Sequence, residues 1–344
     1  MISSSPIVSL LVAMRNEEKY ITGCLESIFA QDYPSEKLEV IILDGVSSDT
    51  SWKLVEELIE NKQNYYLLPN PKRTQSSGWN LGIKQAKGEL ITIVSAHSVL
   101  DSDYVSTAVE TYFRTKADMV GGLMRATGES KIAETIACAT SSPFGMGGAR
   151  FHYTNKEEYV DTVYMGFCSK QLLDSIGGFD EELIRNQDDE LSYRILDNGG
   201  TILCNPAIKS HYFNRASIRS LFKQYFEYGL WKIRVLQKHP KQMRLRQFIP
   251  PIFVLAFLLA FSLTFFFSWG WIALMSLAVL YLLATLIASM LTVINNGRDN
   301  LYLLPVVFTT LHFSYGLGFL VGLLKFWDRW GDKAGKTPQL SSVN

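Results

Sequence analysis

The chain has 344 residues, 47% hydrophobic and 19% charged, with 33 basic residues balanced by 33 acidic ones. That is too apolar for an ordinary soluble protein and too charged for a bundle of membrane spans. It excludes disorder, collagen-like repeats and a disulfide-built miniprotein, and the balance gives no sign of a nucleic-acid partner. The zero conceals a segregation: residues 1–231 hold 22 Lys/Arg against 30 Asp/Glu, residues 232–246 hold six basic residues and no acid, and residues 249–344 hold five basic and three acidic. The order is an acidic body, a basic collar and an apolar tail.

The first residues lack the basic n-region and small-residue cleavage site of a signal peptide, and Ile7–Met14 is too short to cross a bilayer. Apolar runs then alternate with amphipathic stretches. Ile7–Ala13 predicts a strand, and Glu18–Ala30 a helix that turns Ile21, Cys24, Leu25, Ile28 and Phe29 inward. Val40–Leu43, Tyr65–Leu68 and Leu90–Val94 predict strands, and Thr50–Ile59, Trp79–Ala86 and Tyr104–Phe113 predict helices. This alternation means an α/β fold with a parallel sheet, whose ligands bind at the carboxyl ends of the strands.

Those ends carry polar residues. Arg15-Asn16-Glu17-Glu18 follows the first strand, and Asp44-Gly45 with Ser47-Ser48-Asp49-Thr50, an N-cap cluster for the next helix, follows the second. Ser95-Ala96-His97-Ser98 follows the fourth. Neither GxGxxG nor GxxxxGK[ST] occurs at these places, which removes the dinucleotide fingerprint and the P-loop. A carboxylate at a strand end can accept from a base NH or a ribose hydroxyl, and Arg15 with Lys72-Arg73 can neutralise phosphates; each loop taken singly is also compatible with plain turn chemistry. Cys24, Cys138, Cys168 and Cys204 form no CxxC pair, so a zinc cage is not expected and the thiols are read as reduced.

Farther on, Gly177-Gly178-Phe179-Asp180-Glu181-Glu182 leads into Asn186-Gln187-Asp188-Asp189-Glu190-Leu191-Ser192-Tyr193-Arg194. Leu191 and Ile195 can face inward on a helix whose first turn holds three carboxylates. Their mutual repulsion can lift one towards base work; an ordinary acidic helix start is the alternative.

From Phe248 to Leu324 the only charged residues are Arg298 and Asp299. Breaks at Trp269-Gly270-Trp271 and at residues 295–300 divide the run into pieces near 248–268, 271–293 and 301–324, each reaching the ~20 residues of a membrane span. The helices of a soluble domain would show a polar face, and these show almost none. The collar of Lys232, Arg234, Lys238, Lys241, Arg244 and Arg246 is cytoplasmic by the positive-inside rule, and so is the body before it. Three crossings would put the C-terminus outside, yet Lys325, Arg329, Lys333 and Lys336 argue for inside; one of the first two segments could instead be re-entrant or interfacial. The collar suits anionic headgroups. The expected division is a body at 1–231, a juxtamembrane segment at 232–247, spans within 248–325 and a tail at 326–344.

Residues 6–235 resemble a family-2 glycosyltransferase of the GT-A fold, a Rossmann-like nucleotide-sugar-binding domain with a mostly parallel mixed sheet. The resemblance rests on Pro6 to Glu18, on Ile41-Ile42-Leu43-Asp44-Gly45-Val46-Ser47-Ser48-Asp49-Thr50, on Asn80-Leu81-Gly82-Ile83 with Ala86 and Gly88, on Gly166 and on Asn186 to Arg194. Within the family the chain is most similar to membrane-bound glucosyltransferases of succinoglycan-type exopolysaccharide assembly, through Pro143-Phe144-Gly145-Met146-Gly147-Gly148-Ala149-Arg150, Asn186-Gln187-Asp188 and Gln224-Tyr225-Phe226-Glu227-Tyr228-Gly229-Leu230-Trp231.

The resemblance implies a donor pocket of Ala13, Arg15, Glu17, Asp44, Arg73, Asn80, Ser95, Ala96 and His97, with Asp44 accepting from uracil or ribose. It implies Asp188 as catalytic base, six residues before Arg194, and an acceptor set of Phe144, Arg150, Asn186, Gln187, Gln224 and Trp231. His97 and His211 are the implied contacts for a divalent cation, Mg or Mn. One departure matters: the family's Asp-x-Asp should fall at 95–97, and this chain has Ser95-Ala96-His97, so Ser95 lacks the carboxylate a hard cation favours. The Gln-x-x-Arg-Trp motif of processive synthases is also absent. The function implied is an inverting glycosyltransferase of the inner membrane, moving a sugar, glucose by the resemblance, from a UDP-type donor to a lipid-linked saccharide. The alternatives are a polyprenyl-phosphate glycosyltransferase and a non-catalytic polysaccharide-assembly subunit that retains the fold.

Overall fold

In a computed structural model that describes residues 5–214, 217–296 and 302–332, the predicted alternation is present, with boundaries moved by a few residues. The elements begin β1 (Val8–Met14), α1 (Ile21–Phe29), β2 (Leu38–Asp44), α2 (Ser51–Ile59), β3 (Tyr65–Pro69), α3 (Gln75–Gln85), β4 (Leu90–Ser95), β5 (Ser98–Leu100), α4 (Tyr104–Thr115) and β6 (Met119–Thr127). They continue with α5 (Lys131–Thr140), α6 (Pro143–Met146), β7 (Glu158–Tyr159), β8 (Tyr164–Ser169), α7 (Lys170–Ile176), α8 (Gln187–Asp197), β9 (Ile202–Phe213) and α9 (Ile218–Lys238). Three apolar helices follow: α10 (Ile249–Leu263), α11 (Gly270–Asn296) and α12 (Leu304–Lys325). Residues 297–300 of the expected second break, together with Lys333, Lys336 and the rest of the tail beyond Asp332, lie outside the described residues.

Among the described residues one sheet has the order β3-β2-β1-β4-β8-β6-β9-β5, with β7 on β9. β3, β2, β1 and β4 run parallel, and β8 joins β4 antiparallel. Every residue of β1 and β2 is buried, as expected of parallel strands covered on both faces. Two polar residues enter this layer as a matched pair: Ser9 donates to Glu39 at 2.5 Å, and Glu39 also accepts from the Lys87 amide at 2.8 Å. α3 lies directly on the strands because Gly82 has no side chain; a Cβ there would stand 2.9 Å from Leu11 and 3.0 Å from Leu43.

The chain forms two compact units, and they cut across the linear boundary expected near residue 231. One holds the described part of Met1–Arg125 and Tyr153–Tyr212; the other holds Ala126–His152 and the described part of Phe213–Lys333. Within the second unit, Ile136, Cys138 and Ala139 of α5 and Leu221 of α9 share a core with Leu304, Val307, Phe308 and Leu311 of α12. α9 is too charged to read as part of an apolar tail, which is why its sequence places it with the body.

The collar also departs from expectation. Lys232, Arg234 and Lys238 are buried, whereas Lys241 and Arg244 are exposed. Arg234 donates to Gln237 Oε1 at 2.5 Å and to the carbonyls of Asp332 at 3.1 Å and Arg329 at 3.4 Å, so this member of the basic run ties protein to protein instead of facing headgroups. Three stretches, Leu245–Leu263 with α10, Gly270–Asn295 in α11 and Leu304–Lys325 in α12, are each long and apolar enough to cross a membrane by length and composition. Ile252, Leu259, Ile272, Leu283, Ile294 and Leu324 are among the large side chains they expose, a surface that water does not tolerate at this extent.

A Cβ at Gly88 would sit 2.4 Å from Ser9 Oγ and 2.6 Å from the Ser9 amide. Gly88→Ala is therefore expected to cost about 1–3 kcal/mol through overpacking and loss of the Ser9–Glu39 pair, read as a lower thermal midpoint; an unchanged midpoint would contradict this packing.

Candidate active site

The loops after β1 and β2 are stitched to each other. Asn16 donates its amide to Ser47 Oγ at 2.9 Å and accepts from the Ser48 amide at 2.8 Å. The Glu17 amide donates to Ser51 Oγ at 2.8 Å, and Glu18 accepts from the Thr50 hydroxyl at 2.8 Å and the Thr50 amide at 3.1 Å. Thr50, expected to cap α2, is its N-cap by position, but its hydroxyl goes to Glu18 and makes no cap bond. Asp49 takes the Ser51 amide instead, at 3.0 Å.

Asp44, at the end of β2, is buried, and its carboxylate accepts from the amide and the hydroxyl of Ser47 at 3.0 and 2.5 Å. Ala13 is buried one position before the end of β1 and pairs with Leu43 and Ser95 across the ladders. Arg15 and Arg73 are exposed at the ends of β1 and β3 and make no ion pair among the described residues, which leaves two guanidinium groups available to an anion. Asn16, Val46 and Arg73 all hold positive φ, at 55°, 59° and 62°, conformations that non-glycine residues adopt only when their surroundings enforce them.

At the end of β4, His97 Nδ1 lies 3.2 Å from Glu17 Oε1, with the ring against Tyr212 at 4.9 Å between centroids. Ala96 is buried. Ser95 faces Tyr164 of β8, whose hydroxyl also meets Ser98 at 2.8 Å; burial holds the Tyr164 phenol well above its ordinary pKa and therefore neutral. Tyr164 and Tyr212 belong to strands far along the chain, and no local signal announces their place beside residues 95–98.

The two histidines implied for a cation do not form one set. His211 Nε2 pairs with Asp101 Oδ1 at 3.1 Å, whereas His97 pairs with Glu17. Among the described residues no group of three or more His, Cys, Asp or Glu side chains could hold a metal ion. Ser95 adds a hydroxyl already engaged with Tyr164. These residues do not fit a protein-built cage for a hard cation.

Asn80, implied for the donor pocket, is committed elsewhere. Its amide donates to the Phe179 carbonyl at 2.8 Å and to Glu181 Oε1 at 3.1 Å, and its oxygen accepts from the Phe179 amide at 2.7 Å. Lys72 reaches Glu181 at 2.6 Å. Burial opposes ionisation of Glu181, but the bonds from Lys72 and Asn80 outweigh it and hold its carboxyl below the usual range.

That clasp fixes the approach to α8. Asn186 begins the helix in the left-handed region, with φ 63°. Glu190 is buried and paired with Arg194 at 2.7 Å, and Arg194 also donates to the carbonyls of Ile176 and Gly178, each at 2.6 Å. The crowding of Asp188 by two like charges is therefore reduced, because the charge of Glu190 is spent on Arg194. Asp188, partly buried, lines a small cleft with Ile93 of β4, Met165 and Gly166 of β8, and Phe179. Met165 Sδ also accepts from the Ser95 amide at 3.4 Å, which joins the cleft to the end of β4. Gln187 is buried beside Asp188, and its amide nitrogen has no hydrogen-bond partner among the described residues. Of the other implied acceptor residues, Phe144, Arg150, Gln224 and Trp231 fall in the second unit. There Phe144 packs on Phe308, Gln224 donates to the Tyr228 hydroxyl at 2.8 Å, and Trp231 packs on Phe326.

Residues 9–176 match the family model described as Glycosyl transferase family 2. The chain is 32% identical over 334 residues to the dolichyl N-acetyl-alpha-D-glucosaminyl phosphate 3-beta-D-2,3-diacetamido-2,3-dideoxy-beta-D-glucuronosyltransferase of Methanococcus voltae, covering 92% of this chain and 97% of that protein. It is 28% identical over 243 residues to succinoglycan biosynthesis protein ExoA of Rhizobium meliloti (strain 1021), covering 70% and 73%. In fold it is similar to the mannosyltransferase PcManGT from Pyrobaculum calidifontis, solved in complex with GDP-Man and Mn2+, with a TM-score of 0.60, 18% identity and coverage of 95% and 89%.

Asn80→Ala would leave both backbone groups of Phe179 without their side-chain partner, at about 1–3 kcal/mol for each buried group left unmet. Faster amide hydrogen exchange across residues 178–182 is the expected readout, and unchanged exchange there would show that the clasp is not what orders the segment.

Proposed function

The chain belongs to glycosyltransferase family 2, and we propose that it transfers a sugar, glucose by sequence resemblance, from a UDP-type donor to a hydroxyl of a lipid-linked saccharide with inversion at the anomeric carbon. The acceptor class is supported by the near full-length relative that acts on a dolichyl-phosphate-linked sugar and by three helices apolar enough for a membrane. Such an acceptor stays in the bilayer, so the enzyme must be held there too.

The reading rests most directly on Asp188, a carboxylate at the start of α8 in a cleft bounded by the strand that ends at Ser95. A sugar hydroxyl is a poor nucleophile until its proton leaves, and a positioned carboxylate supplies typically 10²–10⁴-fold through general-base catalysis. Asp188 takes the acceptor proton as the oxygen attacks the anomeric carbon, and the nucleoside diphosphate departs on the opposite face. Gln187, with its unpartnered buried amide, and Asn186 orient that hydroxyl. Asp44 and Ala13 bound the uridine, and Arg15 and Arg73 offset the diphosphate charge. Phe144, Arg150, Gln224 and Trp231 stay proposed acceptor contacts through the resemblance alone. A divalent cation, Mg or Mn, would add charge compensation at the diphosphate, with His97 and His211 its contacts by the resemblance alone; no step above is routed through it.

Asp188→Asn is expected to leave donor binding nearly intact while cutting turnover at least about a hundred-fold. Calorimetry with UDP and release of UDP in the presence of acceptor measure the two quantities. Wild-type turnover in this variant would remove Asp188 from the role, and a dead Asp189→Asn beside it would shift the base by one residue.

Metal dependence is expected to be weaker than in relatives with a full Asp-x-Asp, because Ser95 offers no charge and the two histidines pair with different carboxylates. Activity that EDTA abolishes and micromolar Mn²⁺ restores would overturn this. Tighter Mn²⁺ binding by Ser95→Asp would support position 95 as the missing ligand.

A further inference from the structure

The geometry points to a membrane topology of two crossings: α10 and α11 form the spanning hairpin, and α12, although apolar enough to cross, lies along the membrane surface on the side from which α10 enters.

The hairpin is defined first. α10 and α11 lie side by side, with Phe253 stacked on Tyr281 at 4.6 Å, and they meet at one closed end, where a Cβ on Gly270 would stand 2.5 Å from the Leu263 carbonyl carbon. The open base is made by the start of α10 and the end of α11. α12 touches both halves of that base. Its first turns share a core with Ala288 and Val293 of α11. Farther along, Phe319 packs on Phe248, and a Cβ on Gly316 would stand 2.7 Å from the Pro250 carbonyl oxygen at the start of α10. Between these contacts Phe313 packs on Phe257 at 5.5 Å and His312 Nδ1 meets the Tyr281 hydroxyl at 2.9 Å, so α12 leans against the hairpin as far as its middle, and none of these contacts lies at the closed end.

A second observation fixes its depth. α9 runs parallel to α12 for its whole length, in one register. A Cβ on Gly318 would stand 2.0 Å from the Phe226 carbonyl oxygen, one on Gly229 2.0 Å from that of Tyr315, and one on Gly322 2.6 Å from that of Leu230. The Gly318-x-x-x-Gly322 spacing brings the backbones together as small residues do between packed helices. Farther along the same register Gln237 donates to the Phe326 carbonyl at 2.7 Å. α9 carries Arg219, Lys223, Glu227, Lys232, Arg234 and Lys238, too many charges for the hydrocarbon core, so its partner α12 shares a shallower depth. Burial agrees: the apolar window of α12 is 44% buried within the protein, against 17% and 22% for α10 and α11. His312, mid-way along α12, lies 2.9 Å from the Phe144 carbonyl oxygen of α6, a partner no lipid-facing span would meet.

Two crossings also remove the conflict in the sequence. Lys241, Arg244 and Arg246 before α10 and Lys325 and Arg329 after α12 then lie on one side, as the positive-inside rule requires. The connection at residues 264–269 on the other side carries no charge.

The test uses the full chain in sealed vesicles of one orientation, with an epitope tag at each end and single cysteines at Ser268 and Trp327. The native cysteines are all buried, so an impermeant maleimide reads the added ones. Both tags are expected to be cut by protease from the same side, with Trp327→Cys labelled from that side and Ser268→Cys from the other. Tags on opposite sides, or Trp327→Cys labelled together with Ser268→Cys, would restore three crossings and overturn the inference. Labelling of all sites from one side would equally overturn it by removing the hairpin crossing. None of these outcomes depends on the donor, the acceptor or Asp188.

Discussion

Burial of β1 on both faces is the constraint from which the edge holding the candidate site follows. A strand covered on two sides has no place for functional polar side chains along its length, and the exception, Ser9, survives because Glu39 answers it. Chemistry is displaced to the point where the strand leaves the layer, at Arg15 to Glu18. The neighbouring parallel strands end in the same register, Met14 beside Asp44 and Ala13 beside Ser95, so their loops emerge together. The bonds between Asn16, Glu18 and residues 47–51 then make two loops one surface. Strained positive-φ residues persist there because both loops are held at once.

The second unit obeys a different rule, the exclusion of side chains between helices. Gly229 in α9 and Gly318 and Gly322 in α12 let backbones approach to distances that no Cβ permits. That contact brings Arg234 to the carbonyls beyond α12, where a fully buried guanidinium is tolerable because it donates to several acceptors. Breaking one partner of such an arrangement leaves a buried charge, so these residues bind the end of α12 to α9 strongly.

The parallel core strands, the interleaved helices and the apolar stretches were legible because each is a local periodicity. The resemblance motifs named Ala13, Asp44 and Ser95, which lie at the ends of parallel strands, and Asp188, which lies instead in the first turn of α8. Asn80 and Arg234 look available to ligands in the sequence, and only distant partners, Phe179 with Glu181 for the one and the carbonyls of Arg329 and Asp332 for the other, show what they hold in the fold. Tyr164 and Tyr212 escaped notice because their nearness to Ser95 and His97 is made by β8 and β9 crossing the sheet.

The sequence by itself determined the α/β class, the family, the acidic Asp188 run and the presence of helices too apolar for water. Each follows from the order and spacing of neighbours along the chain. Tertiary structure alone decided that Glu190 is neutralised by Arg194, that His97 and His211 pair with different carboxylates, and that α9 lies along α12. Those outcomes depend on which side chains meet across tens or hundreds of residues, and hydropathy, being a property of one segment, carries no information about what that segment rests against.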